Sequence, residues 1–211
     1  MTSRKVAIFD IDKTIISGDS MFHLLKYTKT KYPASKLKLP SLFTKLVLFK
    51  LGIIDTKKAK EAMFYTFNYL NNNDLKDFYS SILKEKIFED AKEKMKVLKS
   101  SGYLILLVSA SPEAYLKYFE EEEFVDFVIG TKFKCINNKF TNLMEGLNCK
   151  GDEKVARINA YLKENNIAID KTSSMAFSDS LSDTPMLNLV DKAYLINFKK
   201  NNTKYEILNW K

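Results

Sequence analysis

The sequence predicts an α/β fold built on a mainly parallel sheet with helices on both faces. Three observations carry that expectation. Short, nearly continuous apolar runs recur along the chain, as strands covered on both faces require. Amphipathic helical patterns separate them. One long early stretch lacks strand-like runs altogether, which marks a helical insertion.

In chain order, "KVAIF" (5–9) is the first strand. Directly after it, Gly18 to Glu85 shows repeated helical spacing, as in "KKAKEAMFYTFNYL"; a second helical pattern, "NDLKDFYSSILKEKIFEDAKEKMKVLK", begins there and runs past its end. The stretch 18–85 is read as an all-helical cap inserted into a core formed by residues 1–17 and 86–211. The next strands are "YLILLV" (103–108), "FVDFVI" (124–129) and "SSMAF" (173–177), with "AYLI" (193–196) a fifth. Between them, "DEKVARINAYLKEN" places Val155, Ile158 and Leu162 on one helix face. In "FKCINNKFTN" the pair Asn137 and Asn138 signals a small β-hairpin, because asparagine tolerates positive φ. Strands alternating with helices in this way give a Rossmann-like core, in which ligands bind at the carboxyl ends of the strands.

The composition, 45% hydrophobic and 28% charged over 211 residues, is that of a globular chain with one sizeable core. Cys135 and Cys149 fit no metal spacing and read as reduced thiols. The N-terminus lacks the progression of a signal peptide. The most apolar later segment, Leu39 to Ile54, carries Lys45 and Lys50 and falls short of the roughly 18 uninterrupted apolar residues of a membrane span. The expectation is a soluble, cytoplasmic protein, with that segment a candidate for peripheral contact with a membrane interface. The formal charge is +8, yet no basic run is interleaved with stacking aromatics, so nucleic acid is not the expected partner. Anionic small molecules or membrane surfaces explain the charge equally well. Arg4 and Arg157 are the only arginines, which leaves little bidentate guanidinium recognition.

The residues that follow the strands carry the chemistry. Asp10, Asp12 and Thr14 follow the first, Ser109 and Ser111 the second, and Ser178, Asp179, Ser180 and Asp183 a later one; Lys154 opens a helix. Two acids this close repel and raise each other's pKa, so the pair calls for a use. Hard oxygen donors suit Mg²⁺, and a phosphate bridging metal, lysine and hydroxyl suits phosphoryl transfer. One carboxylate can attack phosphorus, and the acid two residues on can shuttle the proton. Each piece has a bland reading by itself. The acid pair suits a turn, the serines before Pro112 suit a cap on the expected helix "PEAYLKYFEEEE", Lys154 suits a solvated helix face, and "EEEE" and His23 suit solvated or packed positions. Their common order at strand and helix ends is what the bland readings leave unexplained.

In that order, "DIDKT", "SAS", a helix-opening lysine and "SDSLSDTPML" resemble the four motifs of the haloacid dehalogenase superfamily of phosphatases. The layout is most similar to the phosphoserine phosphatase-like branch, whose helical cap lies between the first two motifs. The resemblance implies Asp10 as nucleophile and Mg²⁺ ligand, and Asp12 as acid/base with its carbonyl on the metal. It implies Ser109, Ala110 and Lys154 as holders of the phosphoryl oxygens and Asp179 as the third metal ligand. Asp183 and Ser182 would support the metal or the lysine, and Thr14 would orient the acid loop. Asp19, Lys57 and Lys58 are candidates for substrate specificity. The implied activity is Mg²⁺-dependent hydrolysis of a small phosphorylated metabolite through an aspartyl phosphate, with phosphoserine or a lipid phosphate as alternative substrates. Ser178 stands where the branch usually has glycine, and is expected to narrow the site; Lys13 is expected to add charge to its rim. A phosphate-accepting receiver domain uses similar residues, but its nucleophile lies on the third strand and it has no insertion.

Overall fold

Val6, Ala7, Ile8 and Phe9 are all inaccessible to solvent, because the strand they form is flanked on both edges and covered on both faces. The computed structural model describes residues 1–211. Its strands are β1 (Thr2–Arg4), β2 (Val6–Phe9), β3 (Leu104–Pro112), β4 (Phe127–Thr131), β5 (Phe133–Ile136), β6 (Lys139–Met144), β7 (Ile167–Ile169), β8 (Met175–Ser178), β9 (Lys192–Ile196) and β10 (Glu206–Leu208). Six of them form a parallel sheet in the order β10-β9-β8-β2-β3-β4. In it Phe9 is in register with both Leu107 and Phe177, so the ends of β2, β3 and β8 lie side by side. β1 and β7 form a short parallel pair, and β5 and β6 an antiparallel hairpin whose turn holds Asn137 and Asn138 at φ 49° and 61°.

The helices are α1 (Ser20–Lys31), α2 (Leu39–Lys50), α3 (Thr56–Met63), α4 (Asn72–Phe78), α5 (Glu89–Ser100), α6 (Glu113–Leu116), α7 (Asp152–Glu164) and α8 (Thr184–Leu187). Side chains alternate across the sheet, so Ala7 and Phe9 enter the larger core layer while Val6 and Ile8 enter the smaller. Ala91, Met95 and Leu98 of α5 cover the first layer; Ile158 and Leu162 of α7 with Met186 and Leu187 of α8 cover the second. Phe9 stacks on Phe177 at 4.4 Å between ring centres, and Trp210 closes over both. Burying each such ring is worth roughly 1.5–3 kcal/mol.

Two helical expectations change in the structure. The pattern running through "NDLKDFYSSILKEKIFEDAKEKMKVLK" is not one helix: after α4 the chain passes through a π turn (Tyr79–Leu83) and a 3₁₀ turn before α5 begins. The break has a tertiary cause. Ile87 bridges to Ile16, Phe88 N–H donates to Ile15 O at 2.9 Å, and Ser17 N–H donates to Lys86 O at 2.8 Å. The chain therefore leaves the sheet and returns to it at one point, with the helical stretch as a closed excursion. The pattern after Pro112 is also shorter than expected, because β3 runs on to Pro112 and only Glu113–Leu116 are α-helical. Strand β4 begins only at Phe127, since the Asp126 carboxylate accepts from Ile105 N–H and pairs with Lys99 instead. The acidic run is not idle: Glu121 and Glu122 pair with Lys76 and Lys84 at 2.9 and 2.6 Å, joining it to the helical stretch.

Gly130 marks the tightest backbone approach beside the sheet end. A Cβ there would lie 2.7 Å from Glu113 N and 2.9 Å from Ser111 O, both main-chain atoms that cannot swing away. Gly130→Ala is expected to lower stability by about 1–3 kcal/mol. Urea unfolding checks this: the midpoint should fall with the slope unchanged. An unshifted midpoint would contradict it.

Candidate active site

The cleft is built at the carboxyl ends of β2, β3 and β8. Asp10 follows β2 directly, and its N–H donates to Phe177 O at 2.9 Å, which continues the sheet one residue past the strand. The loop then folds back on itself: Lys13 N–H donates to Gly18 O at 2.9 Å with Lys13 at φ 60°. His23 packs against this loop, its Nε2 lying 3.0 Å from Ser17 O, so the packed reading of His23 holds.

Lys154, in the first turn of α7, is 1% exposed rather than solvated. Its ammonium donates to Asp10 Oδ1 at 2.6 Å and Asp183 Oδ2 at 2.7 Å, so one buried cation serves two buried carboxylates. Burial lifts Asp10 well above the ordinary carboxylate range, with Lys154 opposing and Asp183 and Asp12 adding to the rise. Thr14, fully buried, donates to Asp10 Oδ2 at 3.0 Å and accepts from Asp179 N–H at 2.8 Å, tying the β2 and β8 loops together. Asp12 Oδ1 accepts from Ser20 N–H at 2.6 Å and Oδ2 from Ser111 Oγ at 2.5 Å, with Ser109 Oγ 3.4 Å away. Ser20 Oγ and the buried Tyr115 hydroxyl complete that chain. Burial also raises Asp19, the N-cap of α1, and Asp179.

A cleft of about 440 Å³ brings Asp10, Asp12, Asp19, Ser109, Ala110 and Lys154 together with Asp179, Ser182 and Asp183. Lys13 joins them at the rim. Ser178 does not narrow the cleft as expected. It is fully buried, its Oγ donates to Asp183 Oδ2 at 2.9 Å, and its side chain thus supports the anchor of Lys154. Lys57 and Lys58 are a correction, because both are exposed and neither lines the cleft. The cleft face of α3 carries Thr56, Ala59, Lys60 and Met63, at the spacing of one helix face, and residues 57 and 58 turn away from it. Lys60 is the cation the sequence reading missed. Its ammonium donates to Ala110 O and to Asn148 Oδ1, and burial pushes its pKa down to about 8. The i, i+3, i+4, i+7 spacing around Ala59 and Met63 was the signal available for it. Asn148 and Lys150, just before α7, also line the cleft and were not singled out.

Five carboxylates line the cleft against four ammonium groups, and Asp179 has no protein partner on its half-buried carboxylate. That excess suits a divalent cation. Asp10 and Asp179 offer hard oxygens, although no three or more Asp, Glu, His or Cys side chains are arranged to hold a metal ion by themselves. Mg²⁺ matches such a set, since it binds through one or two carboxylates and keeps waters or substrate oxygens for the rest.

The family profile described as haloacid dehalogenase-like hydrolase matches residues 7–188, and the chain belongs to that family. Among curated relatives it is similar to a phosphoserine phosphatase of Archaeoglobus fulgidus, 23% identical over 93% of this chain and 54% of that protein. The chain thus spans about half the length of that relative. It is likewise similar to Protein CicA of Caulobacter vibrioides, 24% identical over 89% of this chain and 84% of that one. A solved structure of a protein of unknown function from Bordetella pertussis shares the fold, with TM-score 0.82 and 20% identity over 98% and 99% of the two chains.

Lys154→Met should leave Asp10 and Asp183 buried without their cation, at a cost of about 3–5 kcal/mol near neutral pH. The sign of the pH dependence follows from Asp10. A carboxyl with a raised folded pKa binds more protons folded than unfolded, so its burden on stability grows as pH rises above the ordinary carboxylate range and is relieved as pH falls. The loss in urea-measured stability should therefore be smaller at about pH 5 than at about pH 8. An equal loss at both values would contradict it.

Proposed function

We propose that the cleft hydrolyses small phosphomonoesters with Mg²⁺, passing the phosphoryl group through Asp10. The observation that carries this reading is the buried ammonium of Lys154 held at 2.6 Å from Asp10 and 2.7 Å from Asp183 at the sheet end. In this reading Asp10 is the nucleophile, with Lys154 and Thr14 each holding one of its oxygens. Its oxygen forms a bond to phosphorus as the bond from phosphorus to the leaving oxygen breaks. Asp12 gives that oxygen a proton, then takes one from the water that attacks the aspartyl phosphate and releases inorganic phosphate. Lys154 and the serine hydroxyls near Ser109 stabilise the phosphoryl oxygens. Asp10, Asp179 and the Asp12 carbonyl would hold Mg²⁺, whose chemistry is to neutralise phosphoryl charge and fix the oxygens in line. In this reading residues 18–85 act as the cap over the cleft, through Asp19, Phe49 and the cleft face of α3.

Selectivity for phosphoserine is not expected. Asp19 and Lys60 could face an amino-acid zwitterion, but Lys60 is already engaged by protein oxygens and lacks the planar fork of arginine. A panel of phosphomonoesters, with and without Mg²⁺, tests the reading. Turnover should require the metal, and phosphoserine should not exceed other small esters a hundredfold, about 2.7 kcal/mol, in kcat/KM. No turnover of any ester with Mg²⁺ would contradict it. Asp12→Asn should lose roughly 10²–10⁴ in rate on alkyl phosphates and less on p-nitrophenyl phosphate, whose leaving group needs little protonation. Equal losses on both would remove Asp12 from proton transfer.

A further inference from the structure

We infer that α2 and the turn after it form a docking face for an anionic lipid bilayer. The first observation is exposure. None of the 12 residues of α2 is buried, although the helix is mostly apolar. Phe43 and Val47, one turn apart, are 71% and 41% exposed; Leu51 and Ile53 beyond the helix are 68% and 65% exposed. Phe43 and Val47 thus form an exposed apolar ridge on the side of α2 away from Leu42 and Lys45, which line a cavity against the body of the protein, and Leu51 and Ile53 extend the apolar surface past the helix end.

The second observation is charge. From Ser20 to Ile54 there are seven lysines and no acidic residue. Lys36 and Lys50 are exposed, as are Lys38 and Lys45 on the cavity side, and none of the four makes an ion pair. An apolar ridge flanked by free lysines fits the boundary between headgroups and acyl chains, where the ridge is withdrawn from water and the long side chains reach anionic headgroups. A second copy of the chain is a poor occupant, because it would set lysines against lysines. No helix is long and apolar enough to cross a membrane, so contact would be at the surface. Phe49, on the opposite side of the same helix, lines the cleft, so α2 carries the ridge on one side and a wall of the cleft on the other.

Co-sedimentation of the full chain with vesicles of equimolar phosphatidylglycerol and phosphatidylcholine tests this. Binding is expected at low salt, weaker as the Debye length shrinks toward about 8 Å at physiological ionic strength, and absent with phosphatidylcholine alone. Phe43→Ser with Val47→Ser should weaken binding at least tenfold, with the thermal midpoint and p-nitrophenyl phosphate turnover unchanged. Lys36→Gln with Lys38→Gln and Lys50→Gln should do the same through charge alone, and serves if the first variant misfolds. No binding of the wild-type chain to anionic vesicles, binding equal in the variants, or self-association abolished by the variants would each overturn the proposal. Vesicle binding is read without turnover, so its outcome is separate from that of the hydrolysis assay.

Discussion

The ammonium of Lys154 joins three distant stretches of the chain, since its partners Asp10 and Asp183 lie 144 and 29 residues away. All three groups are buried, and removing two carboxylates from water is tolerable only because this cation sits between them. One positive charge against two negative ones leaves the floor of the cleft short of cation. Burial raises Asp10, with Asp183 and Asp12 adding to the rise, and the excess of acids in the cleft suits a divalent ion beside Asp179. Structure and chemistry thus meet in one constraint: α7, the end of β2 and the β8 loop are held together by the groups that would handle a phosphate.

Around that triad the polar network is short and connected. Thr14 links Asp10 to the backbone of Asp179, and Ser178 braces Asp183. Asp12 is held from the other side by Ser20 at the start of α1 and Ser111 after β3. Lys60 then ties α3 to the carbonyl of Ala110 and to Asn148, so the helical stretch touches the sheet end through a side chain with no carboxylate partner. Lys60 is thus held by neutral oxygens alone, whereas Lys154 is fixed by full charges.

The central strands were legible because burial on both faces writes them as apolar runs, and the Asn137–Asn138 hairpin because its turn needs positive φ. The edge pair β1–β7 was not, since Thr2–Arg4 are polar and exposed and carry no period. The break before α5 was invisible for a different reason: it depends on Ile15 and Ile16, which meet Ile87 and Phe88 only in the folded chain. The same limit applied to the site. The motif acids could be placed from their positions after strands, but the burial of Lys154 and the choice of Lys60 over Lys57 and Lys58 depend on which way α7 and α3 face.

The central claim is that Asp10 carries the phosphoryl group. Rapid acid quenching of the protein during turnover of a phosphomonoester, followed by mass analysis of its peptides, tests this most directly. The expected result is one added phosphoryl group on the peptide containing Asp10, labile to hydroxylamine and absent from Asp10→Asn. Turnover with no phosphorylated peptide, or a phosphoryl group on a serine of the cleft instead, would contradict it.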